Sequence, residues 1–93
     1  MDKQKELLVT NANAYPLPFK DQLNLSISVS YASTVSTQLL DIQGRVIANF
    51  KKEDIEPGTH VITYKINNQI PNTMYFLKVN TGKEVIIKKV FSN

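Results

Sequence analysis

The segment Leu23-Asn24-Leu25-Ser26-Ile27-Ser28-Val29-Ser30 alternates apolar and polar residues at every step. A β-strand turns successive side chains to opposite faces, so this run predicts a strand with one face on a core and the other in water. A helix would scatter the same apolar residues around its whole circumference. Shorter versions of the pattern predict further strands at Val35 to Ile42, Val46 to Lys51, His60 to Ile66, Met74 to Asn80 and Glu84 to Phe91, with an edge strand over Leu7 to Asn11. Gln43-Gly44 and Thr81-Gly82 read as tight hairpin turns in which glycine supplies a positive φ, and Pro57-Gly58 reads as another turn. Pro71 stands just before a strand, where a missing backbone donor does least harm. The nearest candidate for a helix is Lys51 to Glu56, which is short, poor in apolar residues and closed by Pro57. The expectation is an all-β domain, a seven-stranded antiparallel immunoglobulin-like β-sandwich. The cysteine pair and core tryptophan of antibody domains are absent.

A chain of 93 residues makes one domain near the small end of what folds unaided. It has no cysteine, so the apolar core must stabilise it without disulfides. Residues 1–12 read as a polar lead-in, a linker remnant that includes the first edge strand, and residues 13–93 as the sandwich. Met1 to Glu6 lack the apolar stretch of a signal peptide, and nothing approaches the roughly 18 apolar residues of a membrane-spanning helix. A formal net charge of +3 attracts nucleic acid or anionic membrane only weakly, so neither nucleic-acid binding nor membrane insertion is expected.

The inventory for catalysis is thin. The single histidine, His60, falls in a strand whose apolar partners are Ile62, Tyr64 and Ile66, and it reads as a structural, partly exposed residue. Glu53, Asp54 and Glu56 lack the spacing of a calcium loop, have Lys51 and Lys52 beside them, and read as a solvated connector. The three glycines stand singly in turns, so no backbone cradle for phosphate is drawn. No catalytic residue, cofactor or metal is expected, and the chain does not read as an enzyme. Tyr75 and Phe76, being adjacent in a strand, must face opposite sides, one toward the core.

Three pieces stand out by their order. Tyr15-Pro16-Leu17-Pro18-Phe19 precedes the alternating strand. Leu40-Asp41-Ile42-Gln43-Gly44-Arg45-Val46 lies mid-chain. Ile70-Pro71-Asn72-Thr73-Met74-Tyr75-Phe76 leads to Thr81-Gly82-Lys83 and then Lys88-Lys89-Val90. Physically, Pro16 and Pro18 are expected to hold an extended crossing from one sheet to the other, anchored in the core by Tyr15 and Phe19. Asp41 is placed to accept backbone N–H groups across a turn where Gly44 is left-handed, with Arg45 as its ion-pair partner.

From Tyr15 to Asn93 this order resembles the type IX secretion C-terminal domain, the Por sorting domain family, with its tyrosine-proline start, aspartate-x-x-glycine-arginine turn, tyrosine strand and lysine-rich close. Leu17 stands where that family usually has asparagine, and Thr73 where it usually has glycine. The resemblance implies a sorting signal carried behind an N-terminal cargo domain and read by the outer-membrane type IX translocon. It also implies removal by a sortase-like protease, export through the periplasm to the cell surface or medium, and often surface attachment of the cargo. The residues it singles out are Tyr15, Pro16, Pro18, Phe19, Asp41, Gly44, Arg45, Tyr75, Gly82, Lys83, Lys88, Lys89 and Val90.

The last strand carries apolar residues on both faces, Val85, Ile87 and Phe91 on one, Ile86 and Val90 on the other, and so is expected to be well buried until Lys88 and Lys89 bring it to the surface. Its edge suits strand addition by a partner or by a second copy in a homodimer, with Lys83, Lys88, Lys89 and Val90 as recognition residues. The rival reading is an immunoglobulin- or fibronectin-like accessory module that binds glycan or packs on a catalytic domain. It requires exposed aromatics on one sheet.

Overall fold

A computed structural model describes residues 8–67 and 70–93. These residues form eight strands and no helix: β1 (Val9–Tyr15), β2 (Gln22–Val29), β3 (Ser33–Leu40), β4 (Val46–Asn49), β5 (Glu53–Ile55), β6 (Gly58–Lys65), β7 (Met74–Asn80) and β8 (Val85–Phe91). One antiparallel sheet has the order β1-β2-β6. The other runs β4-β3-β7-β8, with β5 also on β3. The alternating segment behaves as its period demands: Leu23, Leu25, Ile27 and Val29 are buried, and Asn24, Ser26 and Ser28 line the opposite face. Val35 and Leu39 from β3 and Leu77 and Val79 from β7 meet them in one core. Full burial of each such side chain contributes roughly 1.5–3 kcal/mol.

The strand count is eight where seven were expected, and the reason is a bulge. Gln38 faces Asn49 and Val35 faces Glu53, so three steps along β3 are matched by four along its partner. The extra residue breaks one long edge strand into β4 and β5. Glu53 and Asp54 therefore lie in a strand and not in a free connector, and the Asp54 carboxylate accepts the Thr34 hydroxyl at 2.6 Å across the pair. The edge strand expected over Leu7 to Asn11 appears as β1, which runs on to Tyr15; Leu7 lies outside the described residues.

Two further expectations are corrected. The proline segment does not cross between sheets, because β1 and β2 are neighbours in the same one. It makes an excursion instead. Phe19 donates its N–H to Phe91 O at 2.7 Å and accepts from Asn93 N at 2.7 Å, so its backbone docks on the end of β8 in the other sheet. Phe19 is fully buried, but Tyr15 is 39% exposed and does not anchor the segment in the core. The last strand is not buried on both faces either. Apart from the Phe19 contact at its end, β8 pairs among the described residues with β7 alone, none of them forms a third layer over the sheet, and Val85, Ile87 and Phe91 are exposed.

Thr37 occupies a core position on β3 where alternation demands an apolar side chain. Its hydroxyl lies 2.7 Å from the Tyr64 hydroxyl of β6, a buried hydrogen bond joining the two sheets. Pairing satisfies both groups, each of which would be costly to bury alone.

Candidate functional site

Strand direction divides the molecule, about 49 Å long, into two poles. Leu40, Met74 and Phe91 lie together at one end of the larger sheet, and the Phe19 excursion ties the proline segment to that same end. At the other end lie Leu8, the β2–β3 connection and the β7–β8 turn.

The C-terminal pole gathers most of the residues singled out by sequence. Asp41 organises the β3–β4 turn. Its Oδ1 accepts the N–H groups of Gln43 and Arg45, both at 2.9 Å, and its Oδ2 accepts Arg45 Nε at 2.8 Å. The Arg45 backbone N–H, with further donors from its guanidinium and Gln43, holds the Asp41 carboxyl below its usual range, against an opposing contribution from desolvation. Gly44 closes the turn at φ 88°. An open cleft of about 340 Å³ separates this turn from the segment entering β7, with Ile42, Arg45, Ile47, Pro71 and Met74 among its walls. Tyr75 backs it: the ring is buried, packs at 6.4 Å from Phe19, and donates its hydroxyl to Pro71 O at 2.7 Å. Burial pushes the Tyr75 phenol up, and the Asp41 charge pushes it further the same way.

The departures from the family pattern fit here without visible disruption. Leu17 is 45% exposed, and Thr73 accepts the Ser92 N–H at 2.9 Å through its carbonyl. Pro16 and Pro18 are exposed, and both of their preceding peptide bonds are cis. On β8, Lys89 is exposed and Lys88 half-buried, whereas Val90 is fully buried opposite Tyr75. Val90, Phe19 and Tyr75 therefore act as core residues, out of reach of any partner that leaves the fold intact.

Gly82 and Lys83 do not join this pole. They sit in the β7–β8 turn at the opposite end, where Gly82 takes φ 91° and Lys83 Nζ lies 5.9 Å from the Tyr31 ring centre. Sequence reasoning missed what that turn holds. The Glu84 carboxylate reaches across to the start of β1 and accepts the Leu8 N–H at 2.8 Å and the Val9 N–H at 3.3 Å. No local spacing signals a contact between residues so far apart in the chain. His60 is half-buried near the start of β6, with Nε2 2.7 Å from Glu56 O. No group of three His, Cys, Asp or Glu side chains among the described residues is placed to hold a metal. The exposed aromatics Tyr15, Tyr31 and Phe91 lie on β1, on the β2–β3 connection and on β8, so they build no shared stacking platform.

The architecture is thus that of a small all-β module whose characteristic residues build turns, a strand terminus and a core. The family model of the secretion system C-terminal sorting domain matches residues 13–93, and the chain belongs to that family, the sorting domains of type IX secretion. This is a sorting-signal family, not a catalytic one, and it implies a cargo protein exported across the outer membrane by the type IX system. A search of curated proteins finds no match.

Proposed function

We propose that the folded unit from Leu8 to Asn93, which includes the whole of β1, forms the C-terminal signal by which the outer-membrane type IX translocon recognises a cargo, with the residues before Leu8 leading in from the cargo side. The match over residues 13–93 carries this reading. It is supported by the gathering of the proline segment, the Asp41-Gly44-Arg45 turn and the end of β8 at one pole. The exposed members of the set, above all Lys89 with Arg45, contact the translocon beside half-buried Lys88, and Lys83 adds a positive charge at the far turn. Phe19, Tyr75 and Val90 hold the geometry from within. A sortase-like protease then removes the domain upstream of its folded part, and the cargo is released or attached at the cell surface. The two facing antiparallel sheets support an immunoglobulin-like sandwich as the architecture that the translocon reads.

The test is export of a periplasmic reporter fused ahead of Leu8–Asn93, which keeps β1 whole, in strains with and without a functional translocon. Deleting Lys88 to Asn93 would be uninformative, because it removes buried Val90 and the Phe19–Phe91 pairing. Lys88→Ala with Lys89→Ala is the better variant. The reading requires export of the parent fusion only through the intact system, and reduced export of the double variant with an unchanged melting temperature. A folded parent fusion that stays in the periplasm overturns it.

A further inference from the structure

The outer face of β7 and β8 carries a row of exposed apolar side chains beside lysines. Val85, Ile87 and Phe91 are 53%, 57% and 46% exposed, and all three point away from the core on alternate positions of one strand. Register places Lys78 opposite Ile87 and Lys89 opposite Phe76 on this same face. Neither strand carries an acidic side chain. Asp54, the acidic residue on that face of the sheet, lies beyond β3 and already accepts the Thr34 hydroxyl. The outer face of the other sheet is more polar: Asn24, Ser26 and Ser28 meet Thr63, Val61 and Thr59 across β2 and β6, and Lys65 stands opposite Gln22 at its end.

A soluble domain gains nothing in isolation from a row of exposed apolar side chains, which marks an interaction surface when contiguous. The edge itself is a poor template for strand addition. The Phe19 backbone caps the end of β8 by pairing with Ser92, and Glu84, at its start, is engaged with β1. The face remains open. We infer that the β7–β8 face, not the β8 edge, is the docking surface for the export machinery, and that the partner offers a protein sheet face bearing apolar side chains interspersed with carboxylates. This inference rests on the proposed sorting function and specifies the chemistry of its recognition. Apolar rows on flat sheets pack face to face at about 10 Å, and carboxylates opposite Lys78 and Lys89 would fix the register. A second copy of the chain is a poor occupant, because β7 and β8 would meet lysines with lysines.

The test uses the reporter fusion in a secreting strain. A photoreactive phenylalanine analogue is placed at position 87, and at position 61 as a control, since Val61 is equally exposed on the other sheet. In parallel, Ile87→Ser with Lys89→Glu is compared with Val61→Ser for export, after circular dichroism establishes that both are folded. Expected are a crosslink from position 87 to an outer-membrane protein, mapping to an acidic and apolar sheet, none from position 61, and about a tenfold fall in export for the double variant alone. If the parent fusion exports normally and the double variant exports equally well, this inference fails while the sorting function stands. If the parent fusion is not exported, both fail. Crosslinking chiefly to a second copy, or binding to lipopolysaccharide vesicles that is lost with Ile87→Ser and Lys89→Glu, also overturns it. The crosslinking arm decides the matter even if the double variant does not fold.

Discussion

Glu84 and Leu8 are joined by a 2.8 Å hydrogen bond from the Leu8 N–H to the Glu84 carboxylate, a contact spanning 76 positions of the chain. Val9 donates to the other carboxylate oxygen at 3.3 Å, so one side chain fastens the start of β1 to the last hairpin. The point where the chain enters the fold is thereby held against the turn between its two final strands.

Glu84→Ala should free that attachment without disturbing the core. Loss of hydrogen bonds to a charged group costs about 1–3 kcal/mol. The expected outcome is faster amide exchange at Leu8 and Val9, with β2 and β7 keeping most of their protection. Exchange at Leu8 and Val9 equal to that of the parent protein would show that Glu84 does not hold β1.

The Thr37–Tyr64 pair should behave as a coupled unit. Thr37→Val or Tyr64→Phe alone leaves a buried hydroxyl without its partner and should cost about 1–3 kcal/mol each. The double variant should lose less than the sum, because neither group is then left wanting. Urea denaturation of the four proteins measures the coupling, and simple additivity would contradict it.

Gly44→Ala should destabilise the β3–β4 turn by about 1–2 kcal/mol, since a side chain disfavours the left-handed backbone. A Cβ there would meet no atom within 4 Å, so the cost comes from the backbone at φ 88° and not from crowding. The measurement is the denaturation midpoint, read beside the hydrogen bonds that Asp41 makes in the same turn.

Stability should fall at both extremes of pH for separate reasons. Burial raises the Tyr64 phenol above 10.0, with the Thr37 hydrogen bond opposing and the Glu53 charge adding to the rise; burial and the Asp41 charge likewise raise Tyr75. Between their unfolded and folded pKa values the native state holds more protons, so stability declines as pH climbs from 10 through the folded values. Asp41 acts in the opposite sense. Its carboxyl is depressed below 3.8, so its contribution is present above that value and is lost as pH falls through the folded pKa. Tyr64→Phe should flatten the alkaline limb and Asp41→Asn the acid limb of a denaturation series. Unchanged limbs would refute these assignments.

Much of the fold was legible in the chain because strand periodicity and turn chemistry are local. Leu23 to Val29 could bury their apolar side chains in one register only, and Asp41 with Gly44 and Arg45 encoded a closed turn within five residues. The bulge between β4 and β5 was not legible, since it depends on how β3 matches a partner across the sheet. Thr37 looked like a polar interruption until Tyr64 arrived opposite it from the other sheet.

What the sequence determined by itself was the all-β class, most strand positions, the glycine turns and the family resemblance from Tyr15 to Asn93. Only the tertiary structure decided which strands share a sheet, that the proline segment returns to its own sheet after touching β8, and that Gly82 and Lys83 lie at the pole opposite Asp41. It also decided the fate of Val85, Ile87 and Phe91. Alternation states that two side-chain sets point in opposite directions, but whether anything lies beyond each set depends on the layers of the fold. Among the described residues the larger sheet has a core on one side only, and three apolar side chains of its last strand face outward.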